Sequence, residues 1–165
     1  MSGPAASSQS PAGYVLDSFA VLALLEGEGG AAEVAGLLSA EEGVVLMTYV
    51  NLGEVVYTVI RERVQSRADA VLLGLEETRV TFVPAERTLC LAAARFKARY
   101  RISYAGAFCA ALADISGFPV VTGDPEFRQL EGHIGVRWIN TQVEEGRVRP
   151  AAEVIERLCR GRSID

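Results

Sequence analysis

Three acidic residues occupy positions from which they could act on one substrate: Asp17, Glu54 and Asp124. Asp17 and Asp124 each follow a short apolar run, at 14–16 and 119–122, that is typical of a buried strand. Glu54 lies in an otherwise apolar part of a predicted helix, so we expect its carboxylate to be half-buried. Because open α/β sheets hold their functional groups at the carboxyl ends of the strands, we expect the three carboxylates to lie close together.

These carboxylates predict the chemistry of a bound divalent cation. Half-buried acids that crowd one another cannot all ionise unless a positive charge joins them. Mg²⁺ and Mn²⁺ are the natural partners of an oxygen-only ligand set, and a cation held there would activate water for attack on a phosphodiester. The sequence therefore indicates a metal-dependent phosphodiesterase in which Asp17, Glu54 and Asp124 are both metal ligands and catalytic residues.

A fourth position of the same kind holds a glycine, Gly106. Ser103 is the predicted N-cap of a helix and Gly106 its third residue, where an acid reaches back to the cap and meets the positive end of the helix dipole. Glycine in a helix costs roughly 0.5–1 kcal/mol relative to alanine. Two explanations are open: an acid has been lost, or glycine allows close packing against a neighbouring helix. Of the other acids, Asp114 lies about two turns further along this helix and could not easily replace an acid at 106. Glu126 is near Asp124 and is a candidate substitute.

Other catalytic arrangements find little support. The single histidine, His133, lies in a loop-like segment and is predicted to be a hydrogen-bonded surface residue. The glycine-rich segment 27–30 follows a helix and lacks the Lys-Ser/Thr ending of a phosphate-binding loop. An aspartyl-phosphate enzyme could use Asp17, but it would usually have a second Asp two residues later, where this chain has Phe19. No Gly-x-Ser-x-Gly nucleophile motif occurs.

Length, composition and charge set broad limits. The 165 residues are enough for one domain with a sizeable core. Half of the residues are hydrophobic, which fits either a well-filled α/β core or an apolar surface kept for a partner. No apolar run is long enough to cross a membrane. The net charge of −5, taken alone, argues against nucleic-acid binding, but cations bound to clustered acids would offset part of it.

The three cysteines are Cys90, Cys109 and Cys159. Their number is odd and their spacing matches no metal site, so we expect buried reduced thiols. Reduced thiols in turn predict a cytoplasmic protein.

Apolar strands that alternate with helices predict one three-layer α/β/α domain with a mostly parallel central sheet and helices on both faces. The domain is predicted to cover residues 14–140. Residues 1–13 are small and polar, which indicates a disordered tail, and 141–165 form a C-terminal extension with a helix. The pattern leaves the order of the strands open. The predicted strands are 14–16, 44–47, 80–83, 119–122 and 136–139.

Four segments together resemble the signature segments of PIN domains, and the closest subgroup is the VapC toxins of bacterial toxin–antitoxin pairs. They are, in order, 15–18, 51–55, 102–108 and 121–127. The resemblance runs from about residue 14 to 139. In it the family's acids fall on Asp17, Glu54 and Asp124, and Thr122 matches a hydroxyl that supports the metal-site carboxylates. Gly106 stands where the family usually has Asp.

The resemblance implies a Mg²⁺- or Mn²⁺-dependent endoribonuclease that forms homodimers. It also implies inhibition by a small antitoxin protein that inserts a segment into the acidic site. The glycine at 106 implies impaired activity in this chain. Basic residues at the rim, Arg61, Arg99 and Arg101, are candidates to guide the RNA backbone. Two alternatives stay open: a catalytically inactive PIN-like binding module, and a metal phosphoesterase that acts on DNA or on a small phosphate ester.

Overall fold

The computed structural model describes residues 12–62 and 65–141. The strands in this part of the chain are β1 (Gly13–Leu16), β2 (Val44–Thr48), β3 (Val80–Val83), β4 (Val120–Thr122) and β5 (Val136–Trp138). The α-helices are α1 (Ser18–Glu26), α2 (Ala31–Ser39), α3 (Tyr49–Glu62), α4 (Gln65–Glu76), α5 (Arg87–Arg99) and α6 (Tyr104–Ser116), and Pro125–Leu130 forms a 3₁₀ helix.

The five predicted strands all occur, with boundaries shifted by at most one residue. β1 begins at Gly13, which the sequence had assigned to the tail, because Gly13 pairs with Val44 in the sheet. The rest of the predicted tail, residues 1–11, lies outside the described residues. So does nearly all of the predicted C-terminal extension, including its helix, at 142–165.

The sheet has the strand order β3-β2-β1-β4-β5, and each neighbouring pair is parallel. The chain moves outward from β1 through β2 to β3 and then crosses back to place β4 on the other side of β1. Such a reversal opens a crevice at the carboxyl ends of the two strands beside it, which is where α/β sheets bind ligands. Here those strands are β1 and β4.

Helices cover both faces of the sheet. Successive strand residues point to opposite faces, so Leu16 and Val121 pack with the helices α1 to α4, whereas Val15 and Val120 pack with α5 and α6. The strands carry apolar residues on both sides because both sides are covered. This arrangement confirms the predicted three-layer α/β/α class, with a sheet that is parallel throughout.

Two further observations concern predictions from composition. Cys90 and Cys109 are free thiols; Cys109 is completely buried, as predicted, whereas Cys90 is only half-buried. Cys159 lies outside the described residues. Within 12–62 and 65–141, no helix combines the length and the apolar character needed to cross a membrane.

Candidate active site

Asp17 lies at the carboxyl end of β1, beside β4, where its N–H donates to the carbonyl oxygen of Val121. It follows β1 directly and starts α1, yet its side chain makes no capping hydrogen bond to that helix. The residue is 3% exposed. Its carboxylate accepts a hydrogen bond from Thr122 Oγ1 at 2.8 Å and a longer one from Asn51 Nδ2 at 3.4 Å. The carboxylate is therefore oriented by side chains from β4 and α3.

Thr122 joins the acids that follow the two strands. Its hydroxyl donates to Asp17 Oδ2 and accepts from the backbone N–H of Asp124 at 3.0 Å. Asp124 is partly exposed, and its Oδ1 accepts from the N–H of Glu126 at 2.9 Å, which caps the 3₁₀ helix. Thr122 thus bonds the Asp17 carboxylate and the backbone of Asp124, and its role at a metal site stays a prediction.

Asn51 is a buried residue of the site that the sequence reasoning missed. Thr48 Oγ1 caps α3 by accepting from Asn51 N at 3.0 Å, and it donates to Asn51 Oδ1 at 2.5 Å. Asn51 Nδ2 lies 3.1 Å from both Ser18 Oγ and the carbonyl oxygen of Ala105. The amide thereby ties the start of α3 to the starts of α1 and α6. The signal that could have revealed it is a polar residue, three positions after a capping threonine, in an apolar helix segment.

Glu54 and Asp124 act electrostatically on Asp17. Burial, together with the charges of these two acids, raises the pKa of Asp17 from 3.8 to about 7, and the hydrogen bond from Thr122 opposes the rise. Burial and the charges of Asp17 and Glu54 also raise the pKa of Cys109 on α6. Glu54 is half-buried, as predicted. The three predicted acids are therefore near enough to interact electrostatically, and Cys109 on α6 senses two of them.

Gly106 lies on α6, one turn before Cys109. Its N–H donates to Ser103 Oγ at 3.0 Å, so Ser103 is the N-cap, as predicted. A Cβ at position 106 would lie 2.8 Å from Ile102 Cγ1 and 2.9 Å from Ser103 Oγ. Glycine therefore does allow close packing, but against the two residues that precede α6 and not against a neighbouring helix. An acid at 106 would require both side chains to shift.

The possible metal ligands around Asp17 are of the chemical type that hard divalent cations prefer. They are carboxylate oxygens, and the raised pKa of Asp17 marks a buried carboxylate whose charge is not balanced. Their arrangement is more open than predicted, because in the described ranges no three Asp, Glu, His or Cys side chains are grouped so that they could hold one ion. Mg²⁺ usually binds through one or two carboxylates and completes its shell with water or substrate phosphate, so the residues fit such an ion.

Of the three predicted RNA-binding arginines, only Arg61 is close to one of the acids along the chain. Arg61 is exposed in the last turn of α3, seven residues after Glu54, which places it on the same side of the helix about 10 Å away. Arg101 is exposed two residues before the cap of α6, and its backbone exchanges two hydrogen bonds with the Gln129 side chain, at 3.1 and 2.8 Å.

Arg99 lines a separate groove of about 220 Å³, and its guanidinium lies 5.7 Å from the centre of the Tyr100 ring. His133 also borders this groove: it is exposed, as predicted, and edge-on to Phe96, but its Nε2 lies 3.7 Å from Asp114 Oδ1, beyond hydrogen-bond distance. None of the three predicted acids lines the groove. Its lining residues are Ala92, Arg95, Phe96, Arg99, Tyr100, Asp114 and His133.

Comparison with known proteins identifies the fold and the family. The profile of the PIN domain family matches residues 14–132, which confirms the resemblance seen in the sequence. No curated protein matches the chain.

Several solved structures share the fold at low sequence identity. One is VapBC2 from Rickettsia felis bound to a DNA fragment from its promoter, with a TM-score of 0.61, 14% identity, and coverage of 77% of this chain and 98% of that one. VapC20 from Mycobacterium tuberculosis, a toxin that cleaves the sarcin–ricin loop, has a TM-score of 0.61, 21% identity, and coverage of 75% and 98%. VapBC-5, a toxin–antitoxin system of the same organism, has a TM-score of 0.53, 21% identity, and coverage of 79% and 99%.

Proposed function

This chain belongs to the PIN domain family, and on that premise we propose that it is a divalent-metal-dependent endoribonuclease, the toxin of a bacterial VapC-type toxin–antitoxin pair. One observation carries the proposal. A buried carboxylate at the switch point of the sheet, Asp17, is joined through Thr122 to Asp124 and faces Glu54. Nothing else among the described residues combines this position in the fold with unbalanced negative charge.

The proposed ligands of the cation are Asp17, Glu54 and Asp124. A bound Mg²⁺ or Mn²⁺ would polarise water and the scissile phosphate and would lower the cost of ionising the buried acids. Because the described residues hold no closed three-ligand cluster, we expect weak binding of the ion in the absence of RNA, whose phosphate would complete its shell.

The surrounding residues hold these carboxylates in place. The hydroxyl of Thr122 donates to Asp17, which favours the ionised form that a cation needs. Asn51 fixes the other oxygen of Asp17 and keeps α3 and α6 together. Glu54 and Asp124 are partly exposed, so either carboxylate is placed to accept the proton lost by the attacking water.

Arg61 and Arg101 are the residues proposed to bind the RNA backbone beside the acids, and Arg99 would contact it further away. An antitoxin partner is proposed because similar structures are toxin–antitoxin complexes, among them VapBC-5. A homodimer and a cytoplasmic location complete the proposal; the free thiols Cys90 and Cys109 are consistent with a reducing compartment.

The glycine at 106 is the reason to propose that this chain has impaired activity. It lies on α6 one turn before Cys109, whose pKa is raised in part by the charges of Asp17 and Glu54, and an aspartate at 106 would add a fourth carboxylate. Loss of a residue that supports a metal site typically lowers metal affinity or activity about 10- to 100-fold. We therefore expect Gly106→Asp to cleave RNA at least about tenfold faster than the unmodified chain.

The test compares cleavage of a mixed RNA pool by the unmodified chain, Gly106→Asp, and Gly106→Asp combined with Asp17→Asn, with Mg²⁺ or Mn²⁺ and with EDTA. A gain in the first variant that disappears in the second and in EDTA supports the proposal. If every folded variant is inert at all metal concentrations, the binding-module alternative is favoured. Cleavage of DNA and of small phosphate esters is measured alongside. Faster cleavage of either substrate than of RNA would favour the alternative of a metal phosphoesterase.

A further inference from the structure

The groove that His133 borders lies in a positively charged part of an acidic chain. Residues 87–113 carry five cations and no acid, although the net charge of the whole chain is −5. Arg95 and Arg99 line the groove from α5, and both are exposed. Neither forms an ion pair with any residue that the structure describes. The groove therefore offers two guanidinium groups to an anion.

Aromatic rings form much of the remaining wall. Phe96 is 7% exposed and stacks with Tyr100, with 5.9 Å between the ring centres and 28° between the planes. The ring of His133 stands 5.4 Å from that of Phe96 and 6.4 Å from that of Tyr100. Tyr100 is half-buried and His133 is exposed, so these two rings can meet a ligand while Phe96 holds them to the core.

Arginines beside accessible aromatic rings are the combination that binds single-stranded nucleic acid. A base stacks on a ring and a phosphate pairs with a guanidinium, without a requirement for one sequence. An acidic peptide would use the arginines but would leave the rings without a flat partner. The groove holds about 220 Å³, which suits one nucleotide of a strand.

Asp114 gives such a nucleotide a direction. Its carboxylate borders the groove from α6, 3.7 Å from His133 Nε2, and would repel a phosphate there. The phosphate is therefore directed to the arginines of α5, whereas an N–H group of the base can donate to Asp114.

The loop before α6 connects the groove to the acidic site. Tyr100 lies three residues before Ser103, the N-cap of α6, and Arg101 is exposed between them. Three residues span at most about 10 Å, so a strand bound in the groove can continue past Arg101 toward the helix end that carries Gly106.

We propose that this groove binds one nucleotide of single-stranded RNA outside the acidic site. Its base lies on the rings of Tyr100 and His133, and its phosphate lies beside Arg95 and Arg99. The choice of RNA rests on the proposed function. The groove contains none of the predicted metal ligands, so binding there needs no divalent cation.

The stacking contact is tested by fluorescence anisotropy with a short, fluorescein-labelled single-stranded RNA in EDTA, where no metal-dependent cleavage occurs. His133→Ala removes an exposed ring and should weaken RNA binding at least about fivefold, the lower end of the usual loss for one stacked base. His133→Phe keeps a ring without the imidazole nitrogens and should bind within about twofold of the unmodified chain. Both variants change an exposed side chain, so Tm should stay within about 3 °C.

The phosphate contact is tested in the same assay by Arg95→Gln and Arg87→Gln. Both remove one exposed positive charge from α5, but Arg87 lies in the first turn of the helix and does not line the groove. We expect Arg95→Gln to weaken binding about tenfold and to reduce the slope of log affinity against log salt by about 0.7. Arg87→Gln should change the affinity less than about twofold, because only a general attraction is lost.

Three results would overturn the proposal: no saturable RNA binding by the unmodified chain at low salt, unchanged affinity in His133→Ala, or equal losses in the two arginine variants. Tighter binding of oligoglutamate than of RNA would assign the groove to an acidic protein segment instead. Cleavage assays judge the proposed function separately. A chain that cleaves RNA while His133→Ala binds it normally keeps that function and loses this groove, and a chain that binds RNA here but cleaves nothing does the reverse.

Discussion

Two helix N-termini meet at the acidic crevice, and they begin in the same way. α3 follows Thr48 and α6 follows Ser103, and in each the cap hydroxyl accepts from the N–H of the third helical residue at 3.0 Å. Those third residues are Asn51 and Gly106. The two helix starts therefore share one capping geometry and differ in what the third residue contributes to the site.

The difference shows two ways to complete a helix start. Asn51 uses its own side chain, which is completely buried and bonds Asp17, Ser18 and the carbonyl of Ala105. Gly106 contributes only its N–H, and its helix takes a carboxylate from Glu126, which is exposed. We infer that the α3 end is a rigid support for Asp17, whereas the α6 end depends on a contact made on the surface.

The largest effect is expected from the third residue of α3. Asn51→Ala should lower the free energy of unfolding by about 3 kcal/mol, because each buried polar group left without a partner costs about 1–3 kcal/mol. The equivalent change in α6, Gly106→Ala, should stay within about 1 kcal/mol, since the gain in helix propensity offsets the shift of Ile102 and Ser103. Urea denaturation of both variants measures the contrast, and equal losses would remove the distinction between the two helix ends.

The next effect concerns the carboxylate that Asn51 supports. The folded chain holds the Asp17 proton up to a pKa of about 7, whereas the unfolded chain releases it near 3.8, so ionisation of Asp17 destabilises the metal-free fold as the pH rises between these values. Asp17→Asn removes that cost. We expect the variant to be about 2 kcal/mol more stable than the unmodified chain at pH 8. This is less than the full linkage value because the amide has one acceptor oxygen, whereas the Asp17 carboxylate accepts from both Thr122 and Asn51.

The gain from Asp17→Asn should shrink steadily as the pH falls and be small at pH 4, where the folded carboxyl is protonated and the unfolded one is only about half ionised. Chemical denaturation in EDTA at pH 4, 6 and 8 follows this trend. A difference between the two proteins that does not change with pH would show that Asp17 is not a buried, titrating member of the site. Added Mn²⁺ should narrow the difference at pH 8, because only the carboxylate gains from the cation.

The smallest expected effect is the difference between the stability lost with the Thr48 cap and the stability lost with the Ser103 cap. Ser103→Ala should cost about 1 kcal/mol, the usual value for a lost N-cap, and Thr48→Ala about 2 kcal/mol. The difference arises because Thr48 is completely buried and also bonds the Asn51 side chain. Urea denaturation compares them, and a larger loss at Ser103 would contradict the view that α3 carries the rigid half of the site.

Much of this molecule follows from local patterns in its sequence. Apolar runs with β-branched residues predict all the strands of the described part, and hydroxyl residues before apolar helical stretches predict the caps at Thr48 and Ser103. These features depend on residues only a few positions apart, so the sequence contains them directly. The same holds for Asp17 and Asp124, each of which follows its strand within two residues.

The tertiary structure decided the rest. Strand order depends on which face each crossover helix covers, and the apolar runs of the strands are too alike to specify their neighbours. The contacts of Asn51 span 33 to 54 residues, and the bond from Ser103 to Glu126 spans 23. A polar side chain and its distant partner carry no matching signal in the sequence, so only folding shows that Asn51 supports Asp17 and that Glu126 completes the helix whose third residue is glycine.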